Sequence, residues 1–135
     1  MKQSKFSLLK NLHLLISLAI VFPFCFVYGF SPADTLPLYF DFTVETTDLN
    51  NVFRAIMGLY IGISTIWVLG MIKPKLWQTA TILQVVFMLG LVFGRTMSLV
   101  VDGIPSQTLV TALILELGLG IYGLIQLKKY QNSRS

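Results

Sequence analysis

Four long apolar runs, parted by short charged links, constrain this chain more than any single motif does. They lie near residues 9–30, 52–72, 77–101 and 107–127. As helix, each is long enough to cross a hydrocarbon core about 30 Å thick, which takes roughly 20 predominantly apolar residues. Of the 135 residues, 55% are hydrophobic and only 12% are charged. A mean hydropathy of +0.76 is too high for a soluble domain of this size. These runs predict an all-α membrane protein, a four-transmembrane-helix bundle making one domain over residues 1–135.

Charge sets the orientation. Lys2, Lys5, Lys10, Lys73, Lys75, Lys128, Lys129 and Arg134 lie in the two tails and the second link. The first link, residues 31–51, has only acids: Asp34, Asp41, Glu45 and Asp48. The third has Asp102. The positive-inside rule therefore puts both termini, including the tail 128–135, in the cytoplasm, and the long loop 31–51 outside. The net charge of +4 follows from this topology, so nucleic acid is not an expected partner. The expected location is a bacterial plasma or inner membrane, crossed several times.

Two readings compete for the first run. A basic start, an apolar core and Val27-Tyr28-Gly29 resemble a cleavable signal peptide. The length of the run, with Pro23 and the bulky Phe22, Phe24, Phe26 and Phe30, fits a retained helix better. His13 is expected at the interface, with no second ligand to make a metal site. Cys25, the only cysteine, can form no internal disulfide and is expected as core or lipid-facing bulk. Within the loop, Leu38 to Glu45 alternates apolar and polar residues, which predicts an extended strap with one face on the membrane or the helix ends. Thr47 or Asp48 is the expected N-cap of the second helix.

Polar and small residues mark the faces. Arg54, Gly58, Gly62 and Thr65 recur at helical spacing and are expected to face the bundle. In the third helix Gln84, Met88, Leu91, Arg95, Ser98 and Asp102 share one stripe, with Gly90 and Gly94 beside it as a small-xxx-small pair. Asp102-Gly103-Ile104-Pro105 reads as the turn between the last two helices. Glu116, Gly120 and Gly123 share a face of the fourth helix. Gly118-Leu119-Gly120-Ile121-Tyr122-Gly123 matches G-x-G-x-x-G formally, but it lies inside a span with no preceding strand, so it reads as helix packing.

A charge at bilayer depth costs roughly 2.5–3.5 kcal/mol and so calls for a partner. With the expected orientation, Arg54, Arg95 and Glu116 all lie in the outer half of the membrane. An Arg95–Glu116 pair is expected, with Arg54 either joining it or facing the outer loop.

The segments Phe53-Arg54-Ala55-Ile56-Met57-Gly58-Leu59-Tyr60, Gly94-Arg95-Thr96-Met97-Ser98 and Asp102-Gly103-Ile104-Pro105, with Glu116 in the last helix, resemble the small bacterial membrane family known as domain of unknown function 4345. The resemblance runs from about Asp48 to Leu127. Its matching positions are Arg54, Gly58, Tyr60, Gly94, Arg95, Asp102, Gly103, Pro105 and Glu116. It implies a four-helix membrane protein with a retained first helix, and it carries no established activity. A looser similarity of size and layout is to DoxX-like four-helix proteins, some linked to quinone-dependent redox systems, with no specific motif behind it.

Three functions are compatible with these residues. In the first, which is non-enzymatic, the Arg54, Arg95 and Glu116 cluster organises the bundle and binds a lipid, quinone or anionic amphiphile, which predicts a mostly apolar pocket under the first loop. In the second, Glu116 serves a small proton-coupled transporter. The third is a membrane redox partner or enzyme, for which the chain lacks a nucleophile–base set, a cysteine pair and metal ligands. No catalytic residue and no cofactor is therefore assigned. The small-residue faces are compatible with a homodimer.

Overall fold

The computed structural model describes residues 2–131, with side chains from 8 to 130. Four long helices carry the fold: α1 (Lys2–Gly29), α3 (Thr47–Ile72), α4 (Trp77–Val101) and α5 (Gln107–Gln131), with a single short turn of helix, α2 (Pro32–Thr35), in the long loop. All four are long and apolar enough to cross a membrane. Among the described residues there is no strand. The result is an all-α, multi-pass membrane bundle.

Local chemistry accounts for the boundaries. The Thr46 side chain caps α3 by accepting from the Leu49 backbone N–H at 3.1 Å, one residue before the expected Thr47 or Asp48; the extended Thr46 backbone aims its hydroxyl at the free N–H groups of the first turn. Pro74 opens a 3-10 turn to Leu76 that leads directly into α4. At the other end of α4, Gly103 takes a φ of 100°, a left-handed conformation that glycine adopts without a Cβ clash. α5 runs on through Lys128 and Lys129 to Gln131, so much of the expected tail is helical; residues 132–135 lie outside the described residues.

Helix α1 packs most extensively on α3, and α4 on α5; these two pairs meet through α3 with α4 and, less closely, α1 with α5. The three basic segments lie together at one end of the bundle, where Asn11 Nδ2 donates to the Met71 carbonyl at 3.5 Å and Gln126 Nε2 to the Leu9 carbonyl at 3.4 Å. The acidic loop covers the other end.

At the basic end the two pairs are joined by uncharged polar contacts. His13 Nε2 lies 3.0 Å from Thr81 Oγ1, and its ring meets Trp77 and Tyr122 edge-on. Gln84 Nε2 donates to Ser17 Oγ at 3.0 Å and to the Leu119 carbonyl at 3.1 Å, linking α1, α4 and α5. His13, Ser17, Thr81 and Gln84 are fully buried. His13 is thus a core residue rather than an interfacial one, because one turn of α1 carries it inward against α4. Cys25 is also buried.

The expected inward stripe of α3 is corrected. Arg54, Gly58, Gly62 and Thr65 are exposed, and the buried face is Tyr60, Ser64, Trp67 and Gly70. Gly90 and Gly94 also face outward, with open space where a Cβ would stand. The close approaches use other glycines. Gly70 lies against Ala80, Gly120 against Leu89, and Gly123 against Gln84 and Val85. Aromatic bulk decides the rotation of α3: Trp67 meets the Phe87 ring at 5.7 Å and Tyr60 meets it at 5.3 Å, burying far more apolar surface than glycines could.

The loop combines both periodicities. α2 and the 3-10 turn Leu36–Leu38 coil the first part, leaving Leu38 exposed. From Phe40 the expected alternation holds only in part: Phe40 and Val44 are buried and Asp41, Thr43 and Glu45 face out, but Phe42 between them is exposed, its ring stacked on Phe40 and Phe53. Leu36, Phe40 and Val44 form a small core with Phe24, Val27, Tyr28, Phe53 and Leu109, so this strap rests on helix ends.

Candidate functional site

Arg95 lies six residues from the end of α4 and Glu116 nine residues into α5. At ~1.5 Å per residue both lie well below the acidic end of the bundle, roughly 9–14 Å along their helices. The antiparallel packing of α4 on α5 brings them to one level. Arg95 Nε donates to Glu116 Oε2 at 2.7 Å, and Nη2 to Oε1 at 3.0 Å. This is the two-pronged guanidinium–carboxylate geometry, the strongest form of such a pair. Both side chains are largely buried, at 21% and 13% exposure.

The pair stands in the wall of a cavity of about 370 Å³ under the loop. α1 contributes Ile20, Val21, Phe24 and Tyr28, the loop contributes Phe40, and α5 supplies Leu109, Ala112 and Leu115. Met88, Leu91 and Leu119 line its deeper part. The cavity therefore opens where α1 stands away from α4 and α5. Its charged lining residues are Arg95 and Glu116.

Aromatic rings connect this wall to the loop. Tyr28 stacks on Phe40 at 5.9 Å and on Phe53 at 6.2 Å, and Phe42 stacks on both Phe40 and Phe53. The Tyr28 ring also meets Tyr60 edge-on at 5.4 Å, and both tyrosines stand within electrostatic reach of Arg95. The loop thus roofs the cavity with Phe40 and is held by the same tyrosine that faces the pair.

Of the three charges expected together, two meet. Arg54 is exposed and is absent from both the pair and the cavity lining. Its helix position sends it outward with Gly58 and Gly62. Asp102 accepts from Ser98 Oγ at 2.8 Å, a local contact at the end of α4 that does not reach Arg95. Gly103 and Pro105 shape the α4–α5 turn, with Pro105 just ahead of Ser106, whose carbonyl accepts the first bonds of α5. Gly120 serves helix packing, as do the Gly123 contacts. Among the described residues no three His, Cys, Asp or Glu side chains converge as a metal site.

Residue patterns alone single out neither Tyr28 nor Phe40. Each is one aromatic among many, and only the return of the loop over α1 distinguishes them. Tyr60 was marked solely by the family resemblance.

Comparisons with known proteins agree with this architecture. No curated protein and no solved structure matches the chain. One family model matches residues 9–127, taking in most of α1 and α5, all of α3 and α4, the loop and both members of the ion pair. The chain belongs to the family described as Domain of unknown function (DUF4345).

Proposed function

We propose that this membrane protein binds an apolar or amphiphilic molecule in the cavity beside Arg95 and Glu116, with the pair holding α4 against α5 behind the ligand. The observation that carries this reading is the cavity itself. It has a mostly apolar lining and a few convergent polar groups, the usual makeup of a small-molecule site. It lies at membrane depth in the half roofed by the acidic loop, so its occupant would come from the outer leaflet. A lipid or quinone-like molecule fits that description.

Proton-coupled transport through Glu116 is the less favoured alternative. Arg95 engages both carboxylate oxygens, so loading a proton there would disrupt the pair. A redox or enzymatic role has no comparable support in the arrangement of side chains.

The test is chemical. Protein purified in mild detergent should retain an amphiphile that mass spectrometry of an organic extract identifies at near one copy per chain. Ala112→Trp, which fills the cavity, should abolish that retention while leaving the protein folded. Equal retention by the filled variant would rule out this cavity as the site.

A further inference from the structure

The cavity carries its own indication of what kind of head group it takes. Arg95 and Glu116 are its charged lining residues, and they already neutralise each other. An ionised head would bring an unbalanced charge into a largely apolar space, or would have to pull Arg95 away from both oxygens of Glu116.

Arg95 keeps hydrogen-bond donors to spare in the same wall. A guanidinium has five N–H donors, of which Glu116 takes two. Three remain. Acceptors stand in the wall too, since the Thr111 hydroxyl, which donates to the Gln107 carbonyl at 2.9 Å, keeps its lone pairs, but none of them changes the donor surplus on Arg95. Space adds a further limit. At about 370 Å³ the cavity is near the lower end of ordinary ligand sites, which run from roughly 300 to 1,000 Å³.

We infer that the cavity selects an uncharged, single-chain amphiphile whose head presents a carbonyl oxygen to the spare N–H groups of Arg95. The neutral ion pair is the selecting element: it offers donors without offering net charge. This rests on the cavity being a ligand site, as proposed above.

The experiment compares two photoreactive probes that share one acyl chain with a mid-chain diazirine, one a methyl ester and the other the free acid, at pH 8 in membranes containing the full chain. Labelled peptides are mapped by mass spectrometry, and labelling that persists in Ala112→Trp is subtracted as lipid-facing background. The ester should label peptides from α1 and α5 at least tenfold more than the acid. In Glu116→Gln, where Arg95 loses its counter-charge, the preference should reverse toward the acid.

Stronger cavity labelling by the acid in the unaltered protein would overturn the head-group inference and leave the binding reading standing. An ester preference unchanged in Glu116→Gln would remove the ion pair as the selecting element. Absence of cavity-dependent labelling by either probe would overturn both the inference and the proposed function. The unaltered protein decides the ester-against-acid question even where Glu116→Gln fails to fold.

Discussion

The two ends of this bundle solve the same problem differently. At the basic end, α1 is joined to α4 and α5 by neutral polar side chains that are fully buried and make direct contacts: His13 with Thr81, and Ser17 with Gln84. Toward the acidic end α1 stands off, a cavity intervenes, and the polar element is one ion pair confined to α4 and α5. Neutral hydrogen bonds tolerate complete burial because neither partner carries a charge to desolvate. A charged pair needs its partner throughout and gains from polar surroundings. The closed end therefore reads as structure, and the open end as the place for a ligand.

The sharpest way to break this comparison is to strand one charge. Arg95→Leu should lower stability in detergent by about 3 kcal/mol, the scale of an unpaired ionised residue at bilayer depth. The double variant with Glu116→Leu should recover at least half of the loss in the same thermal assay. Failure of the double variant to recover would mean that the two side chains do not act as a pair.

Next in size is the close approach at the closed end. Gly123→Leu drives a side chain into Gln84 and Val85 and should cost about 2 kcal/mol, within the usual range for overpacking. Gly58→Leu meets open space and serves as the matched control, with stability expected near that of the unaltered protein. Equal losses at the two positions would contradict the assigned rotation of α3.

Smaller still is Gln84→Leu. It removes the hydrogen bonds to Ser17 and Leu119 and should cost about 1 kcal/mol, given that interhelical hydrogen bonds in membranes average roughly 0.6 kcal/mol each. It should leave amphiphile retention unchanged, whereas Arg95→Leu should reduce it. A loss of retention in Gln84→Leu would join the two ends into one functional unit and dissolve the distinction.

Much of the architecture was legible beforehand. The α4 boundaries at Trp77 and Val101 follow from Pro74 on one side and Asp102-Gly103 on the other, both strong local stop signals. Of the expected Gln84, Met88, Leu91, Arg95, Ser98 and Asp102 stripe, the first four turn inward and Arg95 meets Glu116, while Ser98 and Asp102 are exposed where α4 ends. The α3 stripe misled because glycine permits close approach without demanding it. On the same helix Tyr60 and Trp67 compete for the interior, and their larger apolar area prevails. Arg54, on the losing face, was carried outward with it.

Sequence by itself determined the membrane class, the helix count and the need for Arg95 to have a partner, because insertion energies depend on local apolar length and on charge. Tertiary structure decided which faces meet, where α1 parts from its neighbours, and that Tyr28 and Phe40 enclose the space beside the pair. Those outcomes depend on how side-chain volumes from distant segments fit together, and volume complementarity is a property of the packed helices rather than of any one of them.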